Sequence, residues 1–373
     1  MDTSLNAKLQ NVQWGEYRIG DLFKVTGTKS LDSNAIKFID DGVNFVGRTF
    51  ENNGIQGKIE KRMFEPNEPF TITATVIGNY KYVKFQKESY YCSQNINKLT
   101  PNDLIRKWNE KIAYFFVSNI QKFVSLYDYQ QAGYKLDDIK NHSIQLPTKD
   151  GKIDFEFMES FIAELEAQHI AQLEAYLKAT GLNNYELTSD EKKSIDNFNN
   201  IKWVEYRIGD LFDSENGDFD IQKSHINDVG EYVITAGVTN NGILGKTNIS
   251  AKVINGGTIT IDMFGNSFYR DFKYKMVTHA RVFSLIPKFN MNKEQGLYIV
   301  NSFKYLIFEF GYGNMCSWDK IQNRKIQLPT KDGKIDFEYI ELFITAVQKS
   351  VIKDVVIYAN NKISATKNVC KSK

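Results

Sequence analysis

The sequence contains one long segment twice. Residues 12–23 (VQWGEYRIGDLF) recur as residues 201–212 (IKWVEYRIGDLF), and residues 144–156 recur unchanged as residues 326–338 (IQLPTKDGKIDFE). The offset between the copies falls only from 189 residues at the first anchor to 182 at the second. Solenoid repeats span about 20–50 residues, so each copy here is a whole domain plus a connector. The chain is therefore predicted to be a pseudo-dimer, which suits a partner with two separated half-sites.

Composition places the chain among globular proteins. With 373 residues, of which 42% are hydrophobic and 13% aromatic, it is long enough for two or three domains with real cores. It contains no run of 18 apolar residues, and its polar N-terminus lacks an apolar signal segment. Three cysteines (Cys92, Cys316 and Cys370) without a CxxC pair indicate a reducing, cytoplasmic compartment. The four scattered histidines predict no metal site, and no cofactor is expected.

The charge is distributed unevenly along the chain. Residues 1–150 and 201–335 each carry a net charge of +3, whereas residues 151–200 carry −6. Two mildly basic modules with an acidic connector are compatible with nucleic-acid binding. On charge alone, ordinary solvated surfaces are the better interpretation.

Short strands separated by turn signals dominate both modules. Alternating or continuously apolar runs bounded by Gly, Pro and Asn are typical of β-structure, and the Asn-Gly pairs at 53–54 and 241–242 favour tight turns. The predicted strands are Trp14–Ile19, Val43–Val46, Pro69–Ile77 and Lys81–Phe85 in the first module, and Trp203–Ile208, Tyr232–Thr235, Gly257–Phe264 and Ser267–Arg270 in the second.

Each module ends in helices. A helix is predicted at about Asn109–Ser125 and again at Lys293–Phe310, and a long helix follows at about Ile153–Thr180 and at Ile335–Ile363. Each long helix has an apolar stripe at steps of three and four residues, which it cannot bury alone. We expect the two stripes to pack on each other, antiparallel. They consist of Met158, Phe161, Ile162, Leu165, His169, Leu173 and Tyr176, and of Ile340, Phe343, Ile344, Val347, Val351, Val355 and Tyr358.

This order of module, helix, module, helix resembles the DNA-specificity (S) subunits of type I restriction–modification systems. The likeness rests on the Trp-x-x-Tyr-Arg-Ile-Gly-Asp-Leu-Phe opening, the Asn-Asn-Gly-Ile-x-Gly turn, the Thr-Ile-Thr strand that ends before Gly-Asn, and the Leu-Pro run into the helix. All four occur in both halves and cover nearly the whole chain. The helices, of about 28 residues, are short for that family. Short helices also suit the specificity subunits of type IIB-like fused nuclease–methyltransferases, so both readings stay open.

The resemblance implies an α+β fold of two similar target-recognition modules (mixed β with helices), joined by an antiparallel pair of long helices with a pseudo-two-fold. It also implies a non-catalytic subunit that binds double-stranded DNA with two half-sites. DNA methyltransferase (M) subunits and, in a restricting system, the R subunit would be its protein partners. The expected boundaries are recognition domains at 1–150 and 201–334, spacer helices at 151–182 and 335–365, and a polar linker at 183–200.

Candidate DNA contacts cluster after the repeated turns and strands. Bases are read by Asn, Gln, Arg and Lys, and phosphates are held by Lys and Arg. The loops 127–135 and 310–318 are further candidates for DNA contact. The alternative interpretation of the residues after the strands is an ordinary solvent-exposed polar hairpin. Lys81 and Arg270 are predicted to face DNA, one in each module. The full set is Lys58, Lys61, Arg62, Asn79, Tyr80, Lys81, Lys84 and Gln94 in the first module, and Lys246, Asn266, Tyr269, Arg270, Lys273 and Lys275 in the second.

No catalytic constellation appears in the sequence. A GxSxG elbow and an HExxH motif are absent, and the Asn-Gly-Ile-x-Gly-Lys stretch lacks the spacing of a P-loop. The carboxylate pairs Asp154/Glu156 and Asp336/Glu338 lie where helices begin, and there they favour the helix dipole. A tandem nuclease or transferase is thereby disfavoured. A tandem carbohydrate- or protein-binding module, which the many Tyr and Trp residues allow, remains the other alternative.

Overall fold

The computed structural model describes the backbone of residues 3–371 and the side chains of residues 5–364. The chain divides into two compact units, Met1–Leu173 and Glu174–Lys373. Unit 1 holds the first module and unit 2 the second. Among the described helices, none is both long enough and apolar enough to cross a membrane. The side chain of Cys370, one of the three cysteines considered above, lies outside the described residues.

Unit 1 combines short strands with helices at its two ends. Its helices are α1 (Thr3–Asn11), α2 (Ile19–Leu22), α3 (Glu110–Ser125), α4 (Leu136–Asn141) and α5 (Phe155–Ala179), the last of which runs on into unit 2. Its strands are β1 (Gln13–Arg18), β2 (Phe23–Gly27), β3 (Ser30–Leu31), β4 (Val43–Val46), β5 (Ile55–Ile59), β6 (Thr71–Thr75), β7 (Val83–Gln86), β8 (Tyr90–Ser93), β9 (Ile96–Pro101), β10 (Ser143–Lys149) and β11 (Lys152–Ile153).

Unit 2 repeats this order. Its helices are α6 (Ser189–Asp196), α7 (Ile208–Leu211), α8 (Lys293–Ser302), α9 (Trp318–Ile321) and α10 (Phe337–Lys371). Its strands are β12 (Trp203–Arg207), β13 (Phe212–Asn216), β14 (Glu231–Ile234), β15 (Ile243–Thr247), β16 (Thr258–Ile261), β17 (Ser267–Arg270), β18 (Tyr274–Met276), β19 (Phe283–Pro287), β20 (Lys325–Lys331) and β21 (Lys334–Ile335). The sequence prediction of two modules built alike is confirmed at the level of element order.

The sheets of the two units share one topology. The order β2-β9-β6-β7 in unit 1 corresponds to β13-β19-β16-β17 in unit 2, and β1-β10-β11 corresponds to β12-β20-β21. Strands β8-β4-β5 correspond to β18-β14-β15, and unit 1 adds β3 beside β8. The register agrees as well, since Phe23 pairs with Pro101 and Phe212 pairs with Pro287. Equivalent residues can therefore be assigned from strand pairing.

The central strand of each larger sheet is buried along its whole length. All residues of β6 and β16 are shielded from solvent, which explains their unbroken runs of Thr, Ile and Ala. Their threonine hydroxyls have partners: Thr71 Oγ1 lies 2.9 Å from Tyr90 Oη, and Thr258 Oγ1 lies 2.8 Å from Tyr274 Oη. These matched pairs satisfy buried polar groups that would otherwise destabilise the core.

Each long helix starts on the core of its own module. Met158 and Phe161 belong to the unit 1 core, and Ile340 belongs to the corresponding core of unit 2. Asp154 and Asp336 accept hydrogen bonds from the backbone N–H groups of Phe157 and Tyr339, both at 2.9 Å. This is the helix-start role that the sequence predicted for these carboxylates.

Farther along α10 the predicted apolar stripe is largely exposed. Val351 is 75% exposed and Tyr358 is 52% exposed, whereas Ala346, Val356 and Ala359 are buried. The α10 stripe is thus exposed from Val351 to Tyr358, and the antiparallel packing of the two stripes on each other stays a prediction. Ala346, Val356 and Ala359, which lie on a neighbouring face of α10, are buried instead.

A short helix precedes each module. The predicted linker at 183–200 contains α6, whose Thr188 and Glu191 form a capping box. Glu191 also forms a largely buried ion pair with Lys349 on α10 at 2.8 Å. In unit 1, α1 is joined to α5 by an ion pair of Lys8 and Glu164, which is much more exposed. Neither α1 nor α6 was predicted from the sequence.

Candidate nucleic-acid interface

The Asn-Asn-Gly turns have the same backbone in both units. Asn52 and Asn53 have φ values of 44° and 55°, and Asn240 and Asn241 have 48° and 53°. Asparagine tolerates this left-handed region better than other side chains, and the glycine that follows also has positive φ in both turns. The predicted tight turns are confirmed.

The hairpin turn between β6 and β7 (residues 76–82) is fixed to the loop after α3. The backbone N–H of Tyr129 donates to the Asn79 carbonyl at 2.7 Å, and the N–H of Lys81 donates to Asp128 Oδ1 at 2.9 Å. The exposed rings of Tyr80 and Tyr129 meet edge to face with centroids 5.1 Å apart. The hairpin turn thus forms one surface with this loop, part of the second candidate loop 127–135, whose contact with DNA stays a prediction.

The corresponding hairpin turn in unit 2 (residues 262–266) is fixed differently. The buried carboxylate of Asp262 accepts hydrogen bonds from the backbone N–H groups of Gly237, Phe264 and Asn266, at 2.7, 2.9 and 2.9 Å. Phe264 meets the exposed ring of Tyr312 edge to face, with centroids 5.0 Å apart. Both units thus have an edge-to-face pair of aromatic rings at the hairpin turn, although different residues fix the turn in place.

An exposed apolar side chain stands just before each Asn-Asn-Gly turn. Phe50 and Val238 occupy equivalent positions, and each is 67% exposed. Phe50 lies beside Tyr82, and Lys84 Nζ lies 4.4 Å from the centre of the Phe50 ring. Phe50, Val238 and the exposed Arg48 were missed by sequence reasoning, although their positions next to a repeated turn could have identified them.

Lys81 does not face solvent, which corrects the sequence prediction. Its side chain is only 1% exposed. Its ammonium group donates to the carbonyls of Gly78, at 3.1 Å, and of Tyr127. These bonds hold the hairpin turn against the loop after α3. In this structure Lys81 is a positioning residue and not a base contact.

Arg270 is buried as well, at 2% exposure, so its predicted exposed position is also wrong. Its Nε donates to Thr260 Oγ1 at 2.9 Å, and its Nη2 donates to the carbonyl of Asn241 at 2.7 Å. Burial lowers the pKa of Arg270 to about 10, so the side chain is still charged at neutral pH. The guanidinium therefore fastens the Asn-Asn-Gly turn to the sheet.

Unit 1 makes the same connection with a glutamine. Gln86 pairs with Thr71 as Arg270 pairs with Thr258, which makes the two residues equivalent. Gln86 Nε2 donates to Thr73 Oγ1 at 3.1 Å and to the Asn53 carbonyl at 3.3 Å. Both side chains therefore bond the same threonine position and the same turn carbonyl.

Lys275 is the third predicted contact that proves to be buried. Its ammonium donates to the carbonyls of Thr247 and Ile249, at 3.2 and 2.7 Å, and pairs with Glu231 at 3.0 Å. Its hydrogen bond is the main reason that the pKa of Glu231 lies below the ordinary value. Three of the predicted cations are thus structural, because long-range carbonyl partners draw them inside.

The remaining predicted residues differ in exposure. Tyr269 is half-buried beneath α8, and burial raises its pKa. Asn266 donates to Asp262 at 2.9 Å, and Lys61 pairs with Glu65 at 3.1 Å. Exposed positions are held by Lys61, Asn79, Tyr80, Gln94 and Lys273, and half-buried ones by Lys58, Arg62, Lys84, Lys246, Asn266 and Tyr269.

Within the described residues, no group of three or more His, Cys, Asp or Glu side chains is placed to hold a metal ion. Cys92 and Cys316 are buried free thiols, and burial raises the pKa of both to about 12. Neither of these two thiols is therefore a reactive thiolate at neutral pH.

Comparison with known proteins gives three agreeing results. A family model described as the type I restriction modification DNA specificity domain matches residues 11–175 and again residues 200–363. The specificity subunit S.BcgI of a type II restriction enzyme from Heyndrickxia coagulans is 22% identical over 349 residues, which cover 91% of this chain and 96% of that protein. The crystal structure of the type I restriction–modification S subunit from M. genitalium superposes with a TM-score of 0.60 at 15% identity, covering 97% of this chain and 95% of that one.

Proposed function

The chain belongs to the type I restriction–modification DNA specificity family and is a specificity subunit, and we propose that its two modules each read one half of a bipartite DNA site. The observation that carries this proposal is that one scaffold is built twice with different side chains on equivalent exposed surfaces. Two different surfaces on one scaffold suit two short DNA blocks of different sequence. The chain itself supplies recognition, and a partner supplies the chemistry.

The reading surface of the first module comprises the hairpin turn 76–82, the loop after α3 and the turn that Phe50 precedes. The exposed Asn79 offers hydrogen-bond donors and the exposed Tyr80 an aromatic face. Lys84, whose ammonium lies over the Phe50 ring, offers a cation. Apolar side chains also distinguish bases, because they contact the thymine methyl group. We assign Phe50 to such a contact.

The reading surface of the second module is the equivalent region. Val238 stands where the first module has Phe50, Tyr312 provides the exposed ring, and Lys273 is an exposed cation. The exposed side chains of this surface are thus one cation, one aromatic ring and one aliphatic group. Lys61, Gln94 and Lys246 remain proposed contacts outside the two hairpin turns.

Mapping of methylated sites tests whether each module reads one half-site. In a complex reconstituted with the cognate methyltransferase, Tyr80→Ala together with Lys84→Ala should relax or weaken one half-site only, and Tyr312→Ala should affect only the other. Changes in the same half-site, or in both, from either variant would contradict the assignment of one half-site to each module.

We also propose that the exposed stripe of α10 docks the methyltransferase. Val347, Val351, Val355 and Tyr358 are between 37% and 75% exposed at steps of three and four residues, and exposed apolar patches of this kind mark protein interfaces. Val351→Glu should prevent assembly, measured by size-exclusion chromatography. Lys353→Glu, which adds an acidic group on another face of the helix, is the control and should assemble normally.

The long helices are proposed to pair antiparallel, through faces other than the exposed stripe of α10, and to set the spacing of the two half-sites. The 25 residues of α5 span about 37 Å at 1.5 Å per residue, close to the ~34–36 Å of one DNA turn. The half-sites should then be centred roughly 10–12 base pairs apart, given ~3.4 Å per step. Inserting one heptad into each helix should lengthen the unread gap by about three base pairs, and an unchanged gap would refute the ruler.

A second candidate function differs only in the protein partner, and the chain still recognises DNA. The relative from a type II restriction enzyme favours a fused nuclease–methyltransferase partner of the type IIB-like kind. Co-purification of the chain from its native host, followed by identification of the bound polypeptide, distinguishes the two. A separate methyltransferase supports the type I arrangement, and a single fused polypeptide supports the alternative. In both cases the isolated chain is expected neither to methylate nor to cleave DNA.

A further inference from the structure

A cleft of about 620 Å³ opens in unit 2 beside α9. It is lined by the buried apolar side chains of Phe283 and Cys316, by the half-buried indole of Trp318 and by the exposed cations Arg281 and Lys320. Ligand pockets in proteins typically measure about 300–1,000 Å³ and combine apolar walls with a few placed polar groups. The cleft therefore has the size of a small-molecule site, and polar residues outnumber apolar ones in its lining.

The two modules carry different side chains at this place. Ile139 on α4 and Ile321 on α9 are equivalent buried residues separated by 182 positions, the same offset as that of the repeated IQLPTKDGKIDFE segment. By that offset Cys316 occupies the place of Tyr134. Tyr134 is 4% exposed, and its ring packs 5.2 Å from that of Phe123. The second module thus has a small thiol where the first places a phenol ring.

The backbone at the rim of the cleft is unusual. Arg281 has a φ of 50°, and the strand register makes it equivalent to Asn95, whose φ is 61°. Asparagine tolerates the left-handed region, but it is rare for a long side chain such as arginine. Strained positions of this kind concentrate at ligand sites. In Arg281 this conformation belongs to a turn in which its N–H donates to the Thr278 carbonyl at 3.0 Å, and the turn places the guanidinium at the rim, where Nη1 donates to Met315 Sδ at 2.6 Å.

Two polar groups at the cleft have capacity for a ligand. The hydroxyl of Ser214 is buried and has no hydrogen-bond partner among the described residues. Lys320 Nζ donates to Asn314 Oδ1 at 2.8 Å and to the carbonyl of Met315 at 2.7 Å. An ammonium group has three donors, so one donor of Lys320 is left for a ligand.

We propose that this cleft binds one nucleotide, with its base against Trp318 and its phosphate at Arg281 and Lys320. Bases stack on aromatic side chains without regard to their identity, and arginine matches phosphate oxygens in geometry and charge. Asp319 at the same rim disfavours additional phosphates, so a monophosphate fits better than a triphosphate. The nucleotide is either free or a residue unstacked from bound DNA, and the second source rests on the proposed function.

The test uses two arms with the same variants. In the first arm, the full chain is titrated with each of the four deoxynucleoside 5′-monophosphates. In the second arm, the complex with its methyltransferase binds duplexes that carry 2-aminopurine at successive positions of the site, so that an unstacked base is seen as a rise in fluorescence. Cys316→Tyr copies the first module and fills the cleft, and Cys316→Ser is the size-matched control.

At least one arm should give a signal that Cys316→Tyr reduces tenfold or more and that Cys316→Ser preserves. A signal in the first arm identifies a free nucleotide, and a signal only in the second identifies a base from DNA. Arg281→Asn, which copies Asn95 at an exposed position, should weaken the monophosphate several-fold and leave the corresponding nucleoside unchanged. This variant decides the matter if Cys316→Tyr fails to fold.

The proposal is overturned if neither arm gives a signal, or if the signal is unaffected by both Cys316→Tyr and Arg281→Asn. Its failure is distinguishable from failure of the recognition function. A wild-type complex that binds its bipartite site but shows no such signal refutes only the nucleotide site. A complex that binds no specific DNA refutes the recognition function, and the first arm still tests the cleft.

Discussion

The two modules share their backbone but not the side chains that hold it together. Both attach the Asn-Asn-Gly turn to the central sheet, the first through Gln86 and the second through Arg270. Both fix the hairpin turn, the first with the ammonium of Lys81 and the second with the carboxylate of Asp262. The comparison teaches that the type of a side chain in a module of this kind does not reveal its role. The hydrogen-bond partners decide that role.

The largest expected effect comes from breaking the turn attachment in the second module. Arg270→Ala removes two hydrogen bonds and leaves a cavity, so the free energy of unfolding of unit 2 should fall by about 4 kcal/mol. Arg270→Gln copies the first module and should cost about half as much. Hydrogen exchange of the amides at residues 238–243 measures both. Equal protection in wild type and Arg270→Ala would mean that the guanidinium does not hold the turn.

The next largest effect on stability is expected from the ion pair that joins the short helix before each module (α1 or α6) to the long helix of the same module. Lys349→Met leaves the carboxylate of Glu191 buried without its cation, which should cost about 3 kcal/mol. Lys8→Met, the counterpart in unit 1, removes an exposed pair and should cost below about 1 kcal/mol. Denaturant unfolding of the two variants compares them directly, and equal costs would contradict the difference in burial.

The same pair predicts a dependence on pH. Burial raises the pKa of Glu191, but hydrogen bonds from Lys349 and the Thr188 backbone outweigh it, so the net pKa lies below its usual 4.5. The stabilisation is therefore complete above about pH 4.5 and is lost as the pH falls through the lower pKa of the folded state. Lys349→Met should flatten this acid-side loss in a pH series of unfolding measurements. An acid profile as steep as that of wild type would assign the loss to other carboxylates.

A smaller loss of stability is expected in the first module from Lys81→Met, about 2 kcal/mol, because it leaves the carbonyls of Gly78 and Tyr127 without the buried ammonium that donates to them. Lys84→Met, at a half-buried lysine three positions away, is the control and should change stability by less than about 0.5 kcal/mol. Thermal unfolding separates the two. A strong effect of Lys84→Met alone would reverse the assigned roles.

The smallest expected effect concerns the exposed apolar side chains. Phe50→Ala should weaken binding at one half-site by about 1 kcal/mol, roughly fivefold, without changing stability. Val238→Ala should weaken the other half-site by less, since valine offers a smaller contact. Competition binding with each half-site mutated in turn measures both. Unaltered affinity in the Phe50 variant would remove this residue from the reading surface.

Much of the fold was predictable from local signals. The helix expected from Asn109 is α3, and the Asn109 side chain caps it by accepting from the Ile112 N–H at 3.1 Å. The alternating Val43–Val46 run is β4. These elements carry their own caps and periodicity. The leading helices escaped prediction because they are short and polar, and contacts with residues more than 150 positions away stabilise them.

The candidate site was only partly predictable, for a physical reason. The sequence placed cations next to turns, and lysines and arginines at turns are usually exposed. Arg270 is instead drawn inside by a carbonyl 29 residues away, and Lys81 by one 46 residues away. No local pattern reports such partners. Tyr80 was predicted as a contact and Tyr312 only as part of the loop 310–318, because both lie in repeated loops; the structure places both rings at the surface.

The internal anchors of the two hairpin turns have a consequence for the rates at which the proposed reading surfaces bind and release DNA. Because Lys81 and Asp262 already order these turns, they lose little conformational freedom when DNA binds. Each side chain that is ordered beforehand saves an entropic cost of about 0.5–1.5 kcal/mol on association. A preorganised surface meets cognate and non-cognate DNA at similar rates. Discrimination then lies in how long the complex persists, so base substitutions in the site should change the dissociation rate far more than the association rate.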